Sequence, residues 1–269
     1  MSSQILKGKR GIISGAIDEN SIAWKVALKA MQEGAVFTLT NAAMAIRLGT
    51  IHELGQITGA KIIQANATDV EQIEKVYSES MDILGGKIDF FLHSIGMSVN
   101  IRKGKSYGDL NYDWYMKGID ISALSLHKFL QVAEKMDAIS EWGSVVSLSY
   151  IASQRAFPFY SDMSDSKAVL ESITRNYGYR YGRLKKVRIN TVSQSPTHTL
   201  ASSGIERFDT FYDFANKMSP LGNASAEDCA NFIVTLFSDY TRLITMQNIY
   251  HDGGYSSTGI SEDLSDLLK

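Results

Sequence analysis

The sequence predicts a doubly wound α/β fold: one parallel sheet of about seven strands with helices on both faces. Short runs rich in Ile, Val and Phe alternate with longer stretches of helical period, the pattern of repeated β-α-β units. No repeat or low-complexity tract breaks that alternation, and Pro158, Pro196 and Pro220 lie far apart. The chain therefore reads as a single domain over 1–269. A hydrophobic fraction of 44% and a charged fraction of 21% allow a sizeable core and argue against wholesale disorder.

In chain order, the apolar runs place strands at Gly11–Ser14, Val36–Thr40, Lys61–Ala65, Ile88–His93, Ser144–Leu148, Arg188–Val192 and Gln247–Tyr250. Helical period fills Ser21–Glu33, Ala45–Thr58, Val70–Leu84, Trp114–Met136, Ser161–Tyr181 and Ala226–Phe237. Parallel strands need right-handed helical crossovers, and six of them coat both faces of the sheet. Such sheets bind ligands beyond the carboxyl ends of their strands. Gly15, Asn41, Asp69, Ser94–Gly96, Tyr150 and Ser195–Thr199 fall there.

Several classes are disfavoured by the bulk numbers. With 27 basic and 29 acidic residues the net charge is −2, which gives no field to hold nucleic acid or an anionic membrane. The one cysteine, Cys229, can form no internal disulfide, and the five histidines (His52, His93, His127, His198, His251) fall in no ligand spacing, so no metal is predicted. No stretch of about 18 apolar residues occurs to span a bilayer, and Met1 to Arg10 lacks a signal-peptide core. A soluble, cytoplasmic protein is expected.

The first half carries dinucleotide signals. Gly15 follows the first strand, and the segment to Ala23 enters a helix with Asn20 or Ser21 as N-cap, leaving free amides for a pyrophosphate. Asp69 reads equally as the N-cap of the helix beginning at Val70 and as an acceptor for an adenine amino group. The second strand ends in Thr40-Asn41-Ala42-Ala43, with neither a ribose-binding acid nor a base nearer than Arg47. NADH is therefore the expected cofactor, with NADPH left open.

Tyr160 and Lys167 are the candidate pair of the second half, although a lone pair of this kind is more often packing plus a solvated charge and its context must decide. At about 100° per residue, a spacing of seven sets phenol and ammonium nearly in register on one helix face, with a rise of ~10.5 Å. A cofactor lying along the helix would place its ribose at the lysine.

The surrounding residues carry a resemblance. Gly15 with Ser21-Ile22-Ala23, Thr68-Asp69-Val70, His93-Ser94-Ile95-Gly96, Tyr150, Tyr160, Met163, Lys167, Thr199 and Asp252-Gly253-Gly254 resemble the enoyl-[acyl-carrier-protein] reductases of bacterial type II fatty-acid synthesis. These are a divergent branch of the Rossmann-type short-chain dehydrogenase/reductases. The six residues between tyrosine and lysine are the most specific feature, since most of the superfamily has three.

The resemblance implies hydride delivery to the β-carbon of a trans-2-enoyl thioester. Tyr160 would hydrogen-bond the thioester oxygen, Lys167 would hold the nicotinamide ribose, and Tyr150 and Met163 would line the acyl pocket. Cofactor contacts would come from Gly15, Ser21, Ile22, Asp69, Val70, Ser94, Ile95, Gly96, Lys167 and Thr199. A lid is implied near 197–217, with Leu200 to Phe208 as its mobile helix. Lys25, Gln194-Ser195 and His198 depart from the family's usual residues.

The implied partner is an acidic acyl carrier protein, which Arg102, Lys103, Lys105 and Arg207 would steer to the pocket. A homotetramer is implied, with Phe232–Phe237 and the Tyr250 strand between subunits. The competing functions are a carbonyl or hydroxyacyl dehydrogenase of the same superfamily and a non-catalytic dinucleotide-binding regulator. The spacing of Tyr160 and Lys167 argues against the first, and their joint presence against the second.

Overall fold

The computed structural model describes residues 3–200 and 202–263. Seven strands, β1 (Arg10–Ser14), β2 (Val36–Asn41), β3 (Ile62–Gln64), β4 (Ile88–His93), β5 (Ile139–Ser149), β6 (Arg188–Gln194) and β7 (Asn248–His251), form one sheet in the order β3-β2-β1-β4-β5-β6-β7. Every pairing is parallel.

Period-two alternation sends neighbouring residues to opposite cores. Ile13, Phe90 and Val146 join one cluster with α1 (Ile22–Gln32) and α10 (Ala226–Phe237), while Ile12, Phe91 and Val145 join the other. That second cluster is closed by α4 (Val70–Leu84), α7 (Ser125–Lys135) and α8 (Met163–Lys185). Between them run α2 (Ala43–Leu48), α3 (Ile51–Thr58), α5 (Val99–Arg102), α6 (Tyr112–Ile119) and α9 (Phe208–Met218).

The structure corrects four boundaries. The helix expected over Ala45–Thr58 breaks at Gly49, because the Thr50 amide leaves the helix to bond the Ile17 carbonyl at 2.8 Å. The helix expected over Trp114–Met136 begins earlier and is interrupted by a π turn at Asp120–Leu124. There the Ser122 hydroxyl bonds both amide and carbonyl of Met97, at 2.9 and 3.1 Å, and helical irregularities of this kind have such local causes. β5 starts at Ile139, ahead of the expected Ser144, and absorbs a register shift opposite Ile88 and Phe90. α8 begins at Met163, so Tyr160 is not on the helix. It stands in the preceding turn, closed by Tyr160 N to Phe157 O at 3.0 Å and Met163 N to Tyr160 O at 3.1 Å.

Strand order reverses between β1 and β4, and there the chain diverges to open a crevice. Gly15 makes the turn out of β1 at φ +92°, where a Cβ would stand 1.9 Å from the Ser94 carbonyl oxygen. Both strain and collision oppose any side chain. Gly15→Ala should cost on the order of 3 kcal/mol, read as a lower urea midpoint; an unchanged midpoint would mean that the two loops do not approach so closely.

Candidate active site

Beyond the carboxyl edge of the sheet lies a cleft of about 250 Å³. Its floor at the β1 end is built by Gly15, Ile17, Ser21 and Ile22. Ser21, not Asn20, is the N-cap of α1, and its side chain makes no capping bond. Its hydroxyl instead donates to Asp18 O at 2.6 Å and accepts from Ile17 N at 3.2 Å, closing the loop in front of the helix. Trp24 N already bonds Ser21 O at 3.0 Å, but the amides of Ile22 and Ala23 have neither a backbone partner nor a side-chain cap, a donor pair suited to an anion.

On the β4 side, Ser94, Ile95 and Gly96 line the same cleft. Space beside Gly96 is open, for a Cβ there would meet only Lys167 Nζ at 3.7 Å and Met163 Cε at 4.0 Å. A flat ligand can therefore slide past the backbone between Gly96 and the lysine. These free amides and this glycine gap fit the phosphate and nicotinamide ends of a dinucleotide.

Lys167 is 8% exposed and donates to the Leu148 carbonyl at 2.7 Å. One of its three protons is used; the others remain for the cleft. Burial draws its pKa down to about 8, against the opposing charge of Glu171. Tyr160 has no hydrogen-bond partner for its hydroxyl among the described residues, and burial pushes its pKa up. Tyr150, packed 5.1 Å from the Tyr160 ring, has a buried hydroxyl that is also unpartnered. Its pKa is raised as well, first by burial and then by the neighbouring phenol of Tyr160. Two neutral phenols and one ammonium therefore converge on one cavity, with donors to spare.

The aromatic side of the cleft is continuous. Tyr150 meets Phe157 at 5.3 Å and Phe211 at 5.8 Å, and Phe157 meets Phe211 at 5.4 Å. Met163, Thr199, Leu200, Ile205 and Phe208 complete the wall. The helix expected over Leu200 to Phe208 is instead a short 3-10 turn, Ser202–Gly204, followed by α9. Ala201 lies outside the described residues.

Asp69 and Val70 are not among the cleft residues. Asp69 caps α4, taking Gln72 N at 3.1 Å on one oxygen and Gln72 Nε2 at 2.7 Å on the other. At the end of β2, Asn41 spends its side chain on Ala16 O and on its own neighbour Ala42 N, at 2.9 and 2.8 Å. Among the described residues no group of His, Cys, Asp or Glu is placed to hold a metal ion.

Three supports were not read from the sequence. Asp162 is 1% exposed and accepts from Ser98 Oγ at 2.6 Å and Asn100 Nδ2 at 2.8 Å. This ties the loop after β4 to the turn carrying Tyr160. His93 is fully buried beneath Ser94, and its Nε2 meets Ser125 Oγ at 2.8 Å. Ser125 donates to Ile121 O at 2.6 Å, so Nε2 carries the proton and the unpartnered Nδ1 is bare. Glu171 takes three donors beside Lys167. The one available signal was polar residues spaced on otherwise apolar elements, which equally marks solvated faces.

The departures noted in the sequence sit around the rim. Lys25 reaches outward to Glu227 at 2.7 Å. Gln194 Nε2 donates to Ala224 O at 3.2 Å, and Ser195 Oγ accepts from Ala224 N at 3.0 Å, holding the turn before α10. The His198 and Tyr212 rings pack at a tilt of 46°, with centroids 4.3 Å apart.

Comparison with known proteins agrees across the length of the chain. A family model described as enoyl-(acyl carrier protein) reductase matches residues 15–256. A Rhizobium meliloti enoyl-[acyl-carrier-protein] reductase [NADH] is 31% identical over 262 residues, covering 96% of this chain and 94% of the relative. The crystal structure of a FabI-NADH complex from Alistipes finegoldii is 58% identical, with a TM-score of 0.95 over 96% of this chain and 91% of that one. FabI from Aquifex aeolicus is 28% identical, with a TM-score of 0.87 over 95% of this chain and 99% of that one.

The buried imidazole makes a pH prediction. Burial holds His93 at about 3, whereas an unfolded histidine protonates near 6.5. Its neutral form therefore contributes stability in full above about pH 6.5, and that contribution falls away as pH drops towards 3. The wild-type melting temperature should decline over this window more steeply than that of His93→Asn; parallel declines would contradict the assignment.

Proposed function

Because the chain belongs to the enoyl-(acyl carrier protein) reductase family, we propose that its cleft aligns NADH with an enoyl thioester through Tyr160, Lys167 and Tyr150. The protein is an NADH-dependent oxidoreductase that reduces the trans-2 double bond of enoyl thioesters in fatty-acid synthesis. The observation carrying the residue assignment is that the buried Lys167 ammonium stands beside the gap at Gly96 while Tyr150, its hydroxyl buried without a partner, and Tyr160 line the same cleft.

NADH, when bound, supplies the hydride that adds to the β-carbon. Gly15 and Ser21 would shape the pyrophosphate site, with the unpaired Ile22 amide as its donor, and Ser94, Ile95, Gly96 and Thr199 would bound the nicotinamide half. Asp69 and Val70 are assigned to the adenine end. Asn41 leaves no carboxylate to repel a 2′-phosphate and no base to attract one, so discrimination against NADPH rests on the absence of a cation.

Lys167 gives its spare protons to the nicotinamide ribose and keeps a positive charge close to the growing negative charge. Tyr160, kept protonated by burial, donates to the thioester oxygen, where a fixed donor is worth most as the enolate forms. Tyr150 and Met163 hold the acyl chain, and the aromatic wall excludes water. The segment 197–217 closes over the substrate as a lid; in support, Leu200, Ile205, Phe208 and Phe211 already face the cleft.

The physiological donor of the acyl group is an acyl carrier protein, approached by Arg102, Lys103 and Arg207 around the cleft mouth. Lys105 is engaged by Asp109 at 2.7 Å and the Arg207 guanidinium lies 5.3 Å over the Phe159 ring, so Arg102 and Lys103 are the freer pair for steering. A homotetramer in the cytoplasm completes this reading. Leu221, Leu243 and Ile260, each more than two-thirds exposed in the single chain, are apolar surface for other subunits to cover.

Tyr160→Phe should lower kcat on crotonyl-CoA by on the order of 10²-fold while leaving NADH affinity unchanged. Full turnover by the variant would remove Tyr160 from the chemistry, and NADH oxidation with acetoacetyl-CoA but not crotonyl-CoA would point to carbonyl reduction. Reversing Arg102 and Lys103 to Glu should depress kcat/KM for carrier-linked substrate by roughly tenfold at low salt, with crotonyl-CoA unaffected; equal values for the carrier-linked substrate would end the docking assignment.

A further inference from the structure

Lys167 and Glu171 stand four residues apart on α8, so their side chains leave the same face of the helix. Both are buried, at 8% and 4% exposure. They grip consecutive residues at the end of β5. Lys167 donates to Leu148 O at 2.7 Å, while Glu171 Oε1 accepts from Ser149 Oγ at 2.6 Å.

Glu171 holds more than Ser149. The same oxygen accepts from Ser153 Oγ at 2.5 Å, and Oε2 accepts from Gln154 Nε2 at 3.3 Å. Gln154 Oε1 in turn accepts from the Tyr250 hydroxyl at 2.6 Å. Three donors aimed at one carboxyl call for its ionised, acceptor-only form. Tyr150 sits in the middle of the segment so pinned.

A buried anion and a buried cation each carry a desolvation cost that a nearby opposite charge offsets. Glu171 and Lys167 form no direct ion pair among the described residues, so Lys167 keeps its remaining protons for the cleft. Other groups around the lysine bring no charge: His93 on β4 is neutral, Tyr150 and Tyr160 are protonated, and Gln194 and Ser195 on the β6 side are uncharged. Farther out, Asp162 is taken by Ser98 and Asn100, and Asp252 by the amides of Gly254 and Ser256.

We propose that Glu171 is a positioning residue for the reaction: its carboxylate supplies the counter-charge for Lys167 and staples the segment carrying Tyr150 to α8. The inference rests on the roles given above to Lys167 and Tyr150. Lys167, held at about 8 by burial with Glu171 opposing, would lose its proton more readily without that carboxylate. NADH affinity should then fall at lower pH than in the wild type.

The test measures NADH dissociation constants by fluorescence between about pH 6 and pH 9, alongside melting temperatures and crotonyl-CoA kinetics. Glu171→Gln should move the alkaline midpoint of NADH binding downwards by on the order of one pH unit. Ser153→Ala with Gln154→Ala, which loosens the staple but leaves the charge, should raise KM for crotonyl-CoA and leave that midpoint in place. Glu171→Asp, a milder change should the glutamine variant not fold, should also keep the midpoint.

A Glu171→Gln protein that melts earlier but binds NADH with the wild-type pH dependence would reduce Glu171 to a structural role and overturn the proposal. So would a midpoint lowered by Glu171→Asp, or a staple variant with unchanged KM. Lys167→Ala is the separate control. If it binds NADH as the wild type does at pH 7, the reading of Lys167 itself fails, whatever the Glu171 variants do.

Discussion

The hydrogen bond from the Lys167 ammonium to the Leu148 carbonyl is the constraint on which the site depends. It ties α8 to the end of β5 and sets a desolvated cation at the carboxyl edge of the sheet, where the chain has just turned aside to leave a cleft. A lysine there is expensive to bury. Its cost is offset by the Glu171 carboxylate one turn along the helix and by the hydrogen bond itself, while the phenols beside it stay protonated because the same burial disfavours their anions. One desolvated pocket thus keeps the ammonium close to its titration range and the two phenols far from theirs. That combination lets the site offer hydrogen bonds to a developing negative charge without carrying a competing anion of its own.

Much of the architecture was legible in the sequence because it follows from period. Sheet strands buried on both faces read as continuous apolar runs, and Ile12-Ile13, Phe90-Phe91 and Val145-Val146 each supply one residue to either core. Amphipathic helices such as α4 and α10 were equally plain. The breaks were not, because they come from tertiary bonds. Thr50 leaves its helix for Ile17 and Ser122 unwinds its helix around Met97, and neither partner is near in sequence.

The site shows the same division. Gly15, Ser94, Gly96 and Tyr150 fall just beyond strand ends, so the topology gathers them, while Tyr160 and Lys167 come from the turn and helix that follow β5, and the resemblance supplied their roles. The route to Tyr160 was nonetheless different from the one expected. The spacing of seven implies unbroken helix from phenol to ammonium, whereas the helix begins only at Met163 and a turn stapled by Asp162 to Ser98 and Asn100 delivers the tyrosine. Buried polar residues of this kind, with Glu171 and His93, look in sequence like any solvated side chain. Only the fold shows that water cannot reach them and that each must find its partner inside the protein.

The most direct test is a crystal structure of the protein with NAD⁺ and an unreactive enoyl-thioester analogue. Lys167 Nζ should lie within hydrogen-bond distance of the nicotinamide ribose, still holding Leu148, with the Tyr160 hydroxyl turned to the thioester oxygen. A ribose seated away from Lys167, or a Tyr160 hydroxyl bonded to protein instead of substrate, would contradict the account.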